Sequence, residues 1–284
     1  MFAGLRTLSA RSLQKAQLAA FSARSGISFD NPELLWDALT HKSYSRLRNE
    51  NSGGRYSMLG EQVLKFYATE FVLAKYPQIP AGSASTIIDS FTSTQVLSSV
   101  GKALGVQMIM RWKGSLAKLS EAAPAGEAVV RANVTQALIG AIYQHKGAAA
   151  ARAFVHAHFL SRAVDLDEHL QLFITTNVPR ALLAVICKRL GKPSPVARLM
   201  TETGRLSSNP IFVVGMYSGI DKIGEGYGSS LRMAETKAVR DALMNHYRAE
   251  VKDMKLPSDI SMDEEDKISF FRDEQALATD AAAA

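Results

Sequence analysis

The sequence predicts an all-α domain followed by an α+β domain of order α-β-β-β-α. Two observations carry this reading. Between residues 26 and 165 apolar side chains recur at the three- and four-residue spacing of amphipathic helices. From residue 175 to 250 a helix is followed by three short strand candidates with polar turns between them, and then by a last helix. Residues 1–25 read as a leader or basic arm, and residues 251–284 as an acidic tail with disorder as its default.

Asn31-Pro32-Glu33 starts the first helix of the 26–165 unit, with an N-cap followed by proline at the first helical position. Its end is Ala38-Leu39-Thr40-His41-Lys42-Ser43-Tyr44, where His41 is expected to pack or hydrogen-bond locally. A long helix is predicted over 56–76, stopped by Pro77 and Pro80. One or two helices follow over 83–105, ending at Gly105; residues 106–112 are ambiguous. Residues 114–126, rich in Ala, Gly and Pro, read as a loop. A helix over 127–146 stops at Gly147, and another covers 148–163. In the second unit a helix runs from Val178 to Leu190 before Gly191. Strands are expected over 196–202, 211–217 and 222–228, and a helix over 231–248.

A chain of 284 residues with 47% hydrophobic residues can bury two small cores. No apolar run approaches the ~20 residues that span a bilayer, so no membrane span is expected. The single cysteine, Cys187, excludes an intramolecular disulfide and a thiolate metal cluster. Its apolar neighbours predict a buried, inert thiol. The net charge of +6 divides unevenly. From Glu250 onward ten acids face four bases, while residues 1–249 hold 29 bases against 17 acids. A basic body of this kind suits a polyanion, most often nucleic acid. Residues 1–29 hold Arg6, Arg11, Lys15, Arg24 and five serines but no acid. That composition resembles a mitochondrial transit peptide, with a basic arm lying on RNA as the alternative.

Two segments carry more specific information: Arg55-Tyr56-Ser57-Met58-Leu59-Gly60-Glu61-Gln62-Val63-Leu64 and Ala132-Asn133-Val134-Thr135-Gln136-Ala137-Leu138-Ile139-Gly140-Ala141. Together they resemble the paired metal-binding helices of the ribonuclease III family. In that family four carboxylates, spaced by four on one helix and by three on the other, hold Mg²⁺. Such spacings place side chains on one helical face, and Mg²⁺ requires oxygen ligands that include carboxylates. The resemblance sets Ser57, Glu61, Asn133 and Gln136 at these positions. It therefore implies the fold with three of four carboxylates replaced: a pseudoenzyme with no catalytic residues, no metal and no cofactor. The family dimerises through these helices, and the surplus apolar residues Met58, Leu59, Val63, Leu64, Phe66 and Tyr67 suit a partner interface.

The segment Gly226-Tyr227-Gly228-Ser229-Ser230-Leu231-Arg232-Met233-Ala234-Glu235, with the order of elements around it, resembles a double-stranded-RNA-binding domain. Where that family carries three phosphate-gripping lysines, this chain has Leu231, Arg232 and Glu235. Generic duplex binding is expected to be weak, with Arg232, Lys237 and Arg240 as candidate RNA contacts. The two resemblances, the basic body and the leader are similar to the ribonuclease III-like proteins of the mitochondrial large ribosomal subunit. That group implies a structural role in the matrix, bound to large-subunit rRNA and other ribosomal proteins, including a second ribonuclease III-like protein as dimer partner. The rival readings are an active or partner-completed endoribonuclease and a free RNA-processing cofactor.

Overall fold

The computed structural model describes residues 16–27, 29, 32–44, 52–113, 126–204, 209–252, 254 and 256–259. By Cα packing the chain divides into two compact units. One comprises residues 1–69 with 88–163, the other residues 70–87 with 164–284. The expected N-cap Asn31, most of the 114–126 loop and the tail beyond 259 lie outside the described residues.

In the first unit the described helices are α1 (residues 16–25), α2 (Pro32–Ala38), the body of α3 (Ser52–Lys75), the end of α4 (Ala81–Thr92), α5 (Thr94–Leu104), α6 (Glu127–Lys146) and α7 (Ala148–Val155). The segment 16–25, read from sequence as part of a leader or arm, is a helix with Leu18, Phe21 and Ser25 buried. The stretch predicted over 83–105 is two helices. Ser93 separates them, its hydroxyl accepting from the Val96 N–H as the N-cap of α5. Gly105 closes α5 at φ 78°, a left-handed conformation that glycine adopts without steric cost. The ambiguous 106–112 stretch is a 3₁₀ turn, Val106–Met108, followed by an isolated parallel bridge between Thr40 and Arg111. The helix expected to reach residue 163 changes at His156 into a π-helical turn, His156–Leu160.

The core of this unit forms around α6, whose buried residues lie on more than one face. It packs against α2, α5 and α7. Against α5, Arg131 donates from Nε to the Ser98 carbonyl (3.0 Å) and from Nη2 to the Ser98 hydroxyl (2.8 Å). Its Nη1 meets Glu127 at 2.9 Å, so a half-buried guanidinium is fully engaged. Against α3, the Tyr56 ring packs with Ala137 and Ala141, while its hydroxyl bonds to His145 Nε2 at 2.8 Å.

The second unit contains α8 (Leu166–Thr176), α9 (Pro179–Arg189), β1 (Pro195–Thr203), β2 (Ile211–Ser218), β3 (Asp221–Gly228) and α10 (Leu231–Tyr247). The strands make an antiparallel sheet of order β1-β2-β3. Gly224, Gly226 and Gly228 alternate along β3 on the face that meets α10. There they oppose Ala242, Ala238 and Ala234, spaced by four on the helix. Small residues on both sides allow contact at backbone distance: a β-carbon on Gly224 would stand 2.6 Å from the Ala242 nitrogen. Cys187 is buried as expected, and burial pushes its thiol pKa up. Helix α8 is an addition to the sequence reading; Asp165 caps it, its carboxylate accepting from the Asp167 N–H at 2.9 Å.

Within the same unit the chain after α10 is held by the residues that end α3. Glu70, 4% exposed, accepts from the Ser258 N–H (2.7 Å) and the Ser258 hydroxyl (2.8 Å). The Tyr76 hydroxyl donates to Glu250 at 2.8 Å, and the Val251 N–H to the Lys75 carbonyl at 3.1 Å. Leu256 is buried, so the opening residues of the expected tail are packed.

Candidate functional site

Helices α3 and α6 cross at Gly60 and Gly140, and everything at the candidate site follows from that crossing. Residues 57 and 61 lie one turn apart on α3, and residues 133 and 136 one turn apart on α6. All four line one cleft of about 270 Å³. Ser57 Oγ donates to Gln136 Oε1 at 3.3 Å, tying the two helices across it. Glu61 is exposed, while Asn133 and Gln136 are half-buried.

The third wall is the segment after α2. Thr40, His41 and Lys42 reach the cleft because the Thr40–Arg111 bridge holds them there, with the His41 N–H donating to the Arg111 carbonyl at 2.8 Å. Arg111 is set in turn by the Trp36 ring, 4.3 Å from its guanidinium. His41 hydrogen-bonds locally: the Ser43 N–H donates to Nδ1 (3.2 Å), which places the proton of the neutral ring on Nε2. Burial, with the neighbouring Lys42, pushes the His41 pKa down.

The donor set defines what the cleft can hold. It offers one carboxylate, one hydroxyl and two amides at the four positions, with Lys42 as a cation close by. Mg²⁺ bound by protein takes carboxylate oxygens, and a two-metal clamp needs several of them. This set does not fit such a centre. Among the described residues no group of three His, Cys, Asp or Glu converges as a metal site.

The three candidate RNA residues all project from α10. Arg232, Lys237 and Arg240 are exposed. Lys237 Nζ stands 4.5 Å above the Tyr227 ring of β3, which steadies a long side chain at the surface. Ser230 caps the helix, its hydroxyl accepting from the Met233 N–H at 3.3 Å. Sequence reasoning missed Arg180 on α9, which pairs with Glu235 at 2.7 Å. The acid at a position where the resembled family is basic is thereby neutralised within the domain. Nothing local in the sequence links these two residues.

Comparison with known proteins finds matches for two stretches of the chain. Residues 31–163 match the family model described as ribonuclease-III-like. A ribonuclease-III-like match is thus followed along the chain by a match to a double-stranded-RNA-binding domain: residues 174–281 match the model described as the MRPL44 dsRNA-binding domain. Over 112 residues, 39% of this chain, the sequence is 48% identical to the large ribosomal subunit protein mL44 of Neurospora crassa; the match spans a quarter of that protein's length. Ribonuclease 3 of Nitrosomonas europaea is 26% identical over 235 residues, covering 82% of this chain and 90% of that one. Among solved structures, the nuclease domain of ribonuclease III from Campylobacter jejuni aligns with 50% of this chain and 97% of its own. The TM-score is 0.43 and the identity 21%.

Proposed function

We propose that this protein is a structural constituent of the mitochondrial large ribosomal subunit. It would bind rRNA and a neighbouring protein through a ribonuclease III fold that cleaves nothing. The observation that carries this is the match of residues 174–281 to the MRPL44 type of RNA-binding domain, together with 48% identity to an mL44 protein. Ribosomal RNA offers a dense array of phosphates, and residues 16–249, with 26 bases against 17 acids, supply the counter-charge. Phosphate contacts fix position rather than sequence, which suits Arg232, Lys237 and Arg240, all of them exposed. Met58 and Phe66 on α3, 69% and 61% exposed, are apolar surface suited to a protein neighbour, for which a second ribonuclease III-like protein is the natural candidate.

The absence of catalysis rests on the cleft. Ser57, Asn133 and Gln136 supply no charge, and Glu61 alone cannot hold the metal that generates a nucleophile. An endoribonuclease is the competing reading, since ribonuclease 3 proteins align over most of the chain. Sedimentation of a mitochondrial lysate in high salt with Mg²⁺ separates the two. Co-migration with the large subunit is the expected result, because transient factors are stripped by salt. Migration as a small free complex, with duplex cleavage in Mg²⁺ or Mn²⁺ that Glu61→Ala abolishes, would establish the enzyme instead.

A further inference from the structure

We propose that the mature protein keeps residues 16–27, and that import processing cuts within residues 1–15. The proposal builds on the mitochondrial reading above and adds to it where the leader ends. Cleavage is hydrolysis of one backbone amide by a processing endopeptidase. Water supplies the hydroxyl of the new carboxyl terminus and a proton for the new amine.

The composition of residues 1–29 cannot place this boundary, because an acid-free amphipathic helix is both a presequence and an ordinary core element. The structure separates the two. On α1, Leu18, Phe21 and Ser25 share one face, and Phe21 is completely buried. The Ser25 hydroxyl donates to the Phe21 carbonyl at 2.9 Å and accepts from the Ile27 N–H at 3.4 Å. Gly26 ends the helix at φ 68°, which returns the chain to bury Ile27.

Two elements of the first unit hold this segment from outside it. The His158 side chain of the π-helical turn hydrogen-bonds to the Ser25 backbone. The Arg24 guanidinium lies over Gly105, where a β-carbon would stand 2.7 Å from its Nη2. Gly105 closes α5, and a cation suits the negative end of a helix. Among the described residues of this stretch, Arg24 is thus a base set against the end of α5. Arg6, Arg11 and Lys15, the other three bases of residues 1–29, lie before residue 16. Import acts on the unfolded chain, so the fold selects the boundary through which product is stable. A product starting after residue 25 lacks Phe21 and the Ser25 contacts.

Mass-spectrometric mapping of the amino terminus, on protein purified from mitochondria, tests the boundary. A first residue between 2 and 16 is expected. A first residue at 17 or later, or an intact Met1, overturns the proposal. A second arm needs no mitochondria and stays readable if the ribosomal assignment fails. Recombinant chains starting at residues 1 and 16 should melt alike. Phe21→Ala in the full chain should lower the first unit's midpoint by roughly 6 to 15 °C. An unchanged midpoint for Phe21→Ala would show that α1 is dispensable and sink the idea.

Discussion

Gly60 of α3 and Gly140 of α6 meet backbone to backbone. A β-carbon on Gly60 would overlap the Gln136 carbonyl and stand 2.7 Å from the Gly140 nitrogen. One on Gly140 would overlap the Tyr56 carbonyl and stand 2.9 Å from the Gly60 nitrogen. Side chains cannot yield here as rotamers do, because the obstacles are helical backbone. The crossing brings Ser57 within 3.3 Å of Gln136 and closes two walls of the cleft.

Gly60→Ala and Gly140→Ala should therefore each destabilise the first unit, by about 2 to 3 kcal/mol, as overpacking in a rigid site does. The gain in helix propensity, about 0.5–1 kcal/mol, works against this without cancelling it. Gly82, on α4 with open space around it, is the control: Gly82→Ala should be neutral or stabilising. Thermal melts of the three variants decide. Equal behaviour at all three positions would mean that the helices can separate at no cost.

A second prediction concerns the latch in the other unit. Glu70 is buried and has both oxygens engaged by Ser258. Glu70→Ala leaves the Ser258 N–H without its acceptor and should cost about 2 kcal/mol. Ser258→Ala removes one hydroxyl and keeps the N–H bond, so about 1 kcal/mol is expected. Denaturant titration orders the two, and a larger loss for Ser258→Ala would contradict the latch.

Much of this was legible in the sequence, and the unreadable parts have physical reasons. Spacings of four and three at Ser57/Glu61 and Asn133/Gln136 place each pair on one helical face. Their facing one another depends on the two glycines, whose role as a crossing needs both helices in view. Thr40, His41 and Lys42 reach the cleft through a single bridge to Arg111, a contact with no local pattern. Helix α8 escaped because it offers only Leu170 and Ile174 as a buried stripe. Residues 16–25 carry two meanings in composition, and the burial of Leu18, Phe21 and Ser25 is visible only in the fold.

The Arg180–Glu235 pair makes a third prediction. The pair is largely exposed on the arginine side, so its removal should change stability little. Its effect lies in charge. Glu235→Lys places a cation beside Arg232 and frees Arg180, so duplex RNA should bind more tightly, with a salt slope steeper by about one. Arg232→Ala should shift affinity and slope the opposite way. Filter binding across a salt series measures both. If neither variant changes the slope, RNA does not contact this end of α10.

The last prediction follows from two histidines of the first unit. Burial lowers the pKa of His41, helped by Lys42, and burial lowers that of His158 despite its bond to the Ser25 backbone. Both are thus more readily protonated unfolded, where the ordinary value is 6.5. Between the folded and unfolded values the unfolded state binds more protons, so stability rises with pH there. The contribution is fully present above 6.5 and is lost as pH falls below it toward the folded values. Carboxylates titrate lower, near about 4, which leaves a window of roughly pH 5 to 6.5 for the histidines. Urea midpoints of the first unit should fall across that window in the parent chain. The fall should be shallower in His41→Gln and His158→Gln, and shallower still in the double variant. An identical pH profile in all four chains would mean that neither imidazole resists protonation in the fold.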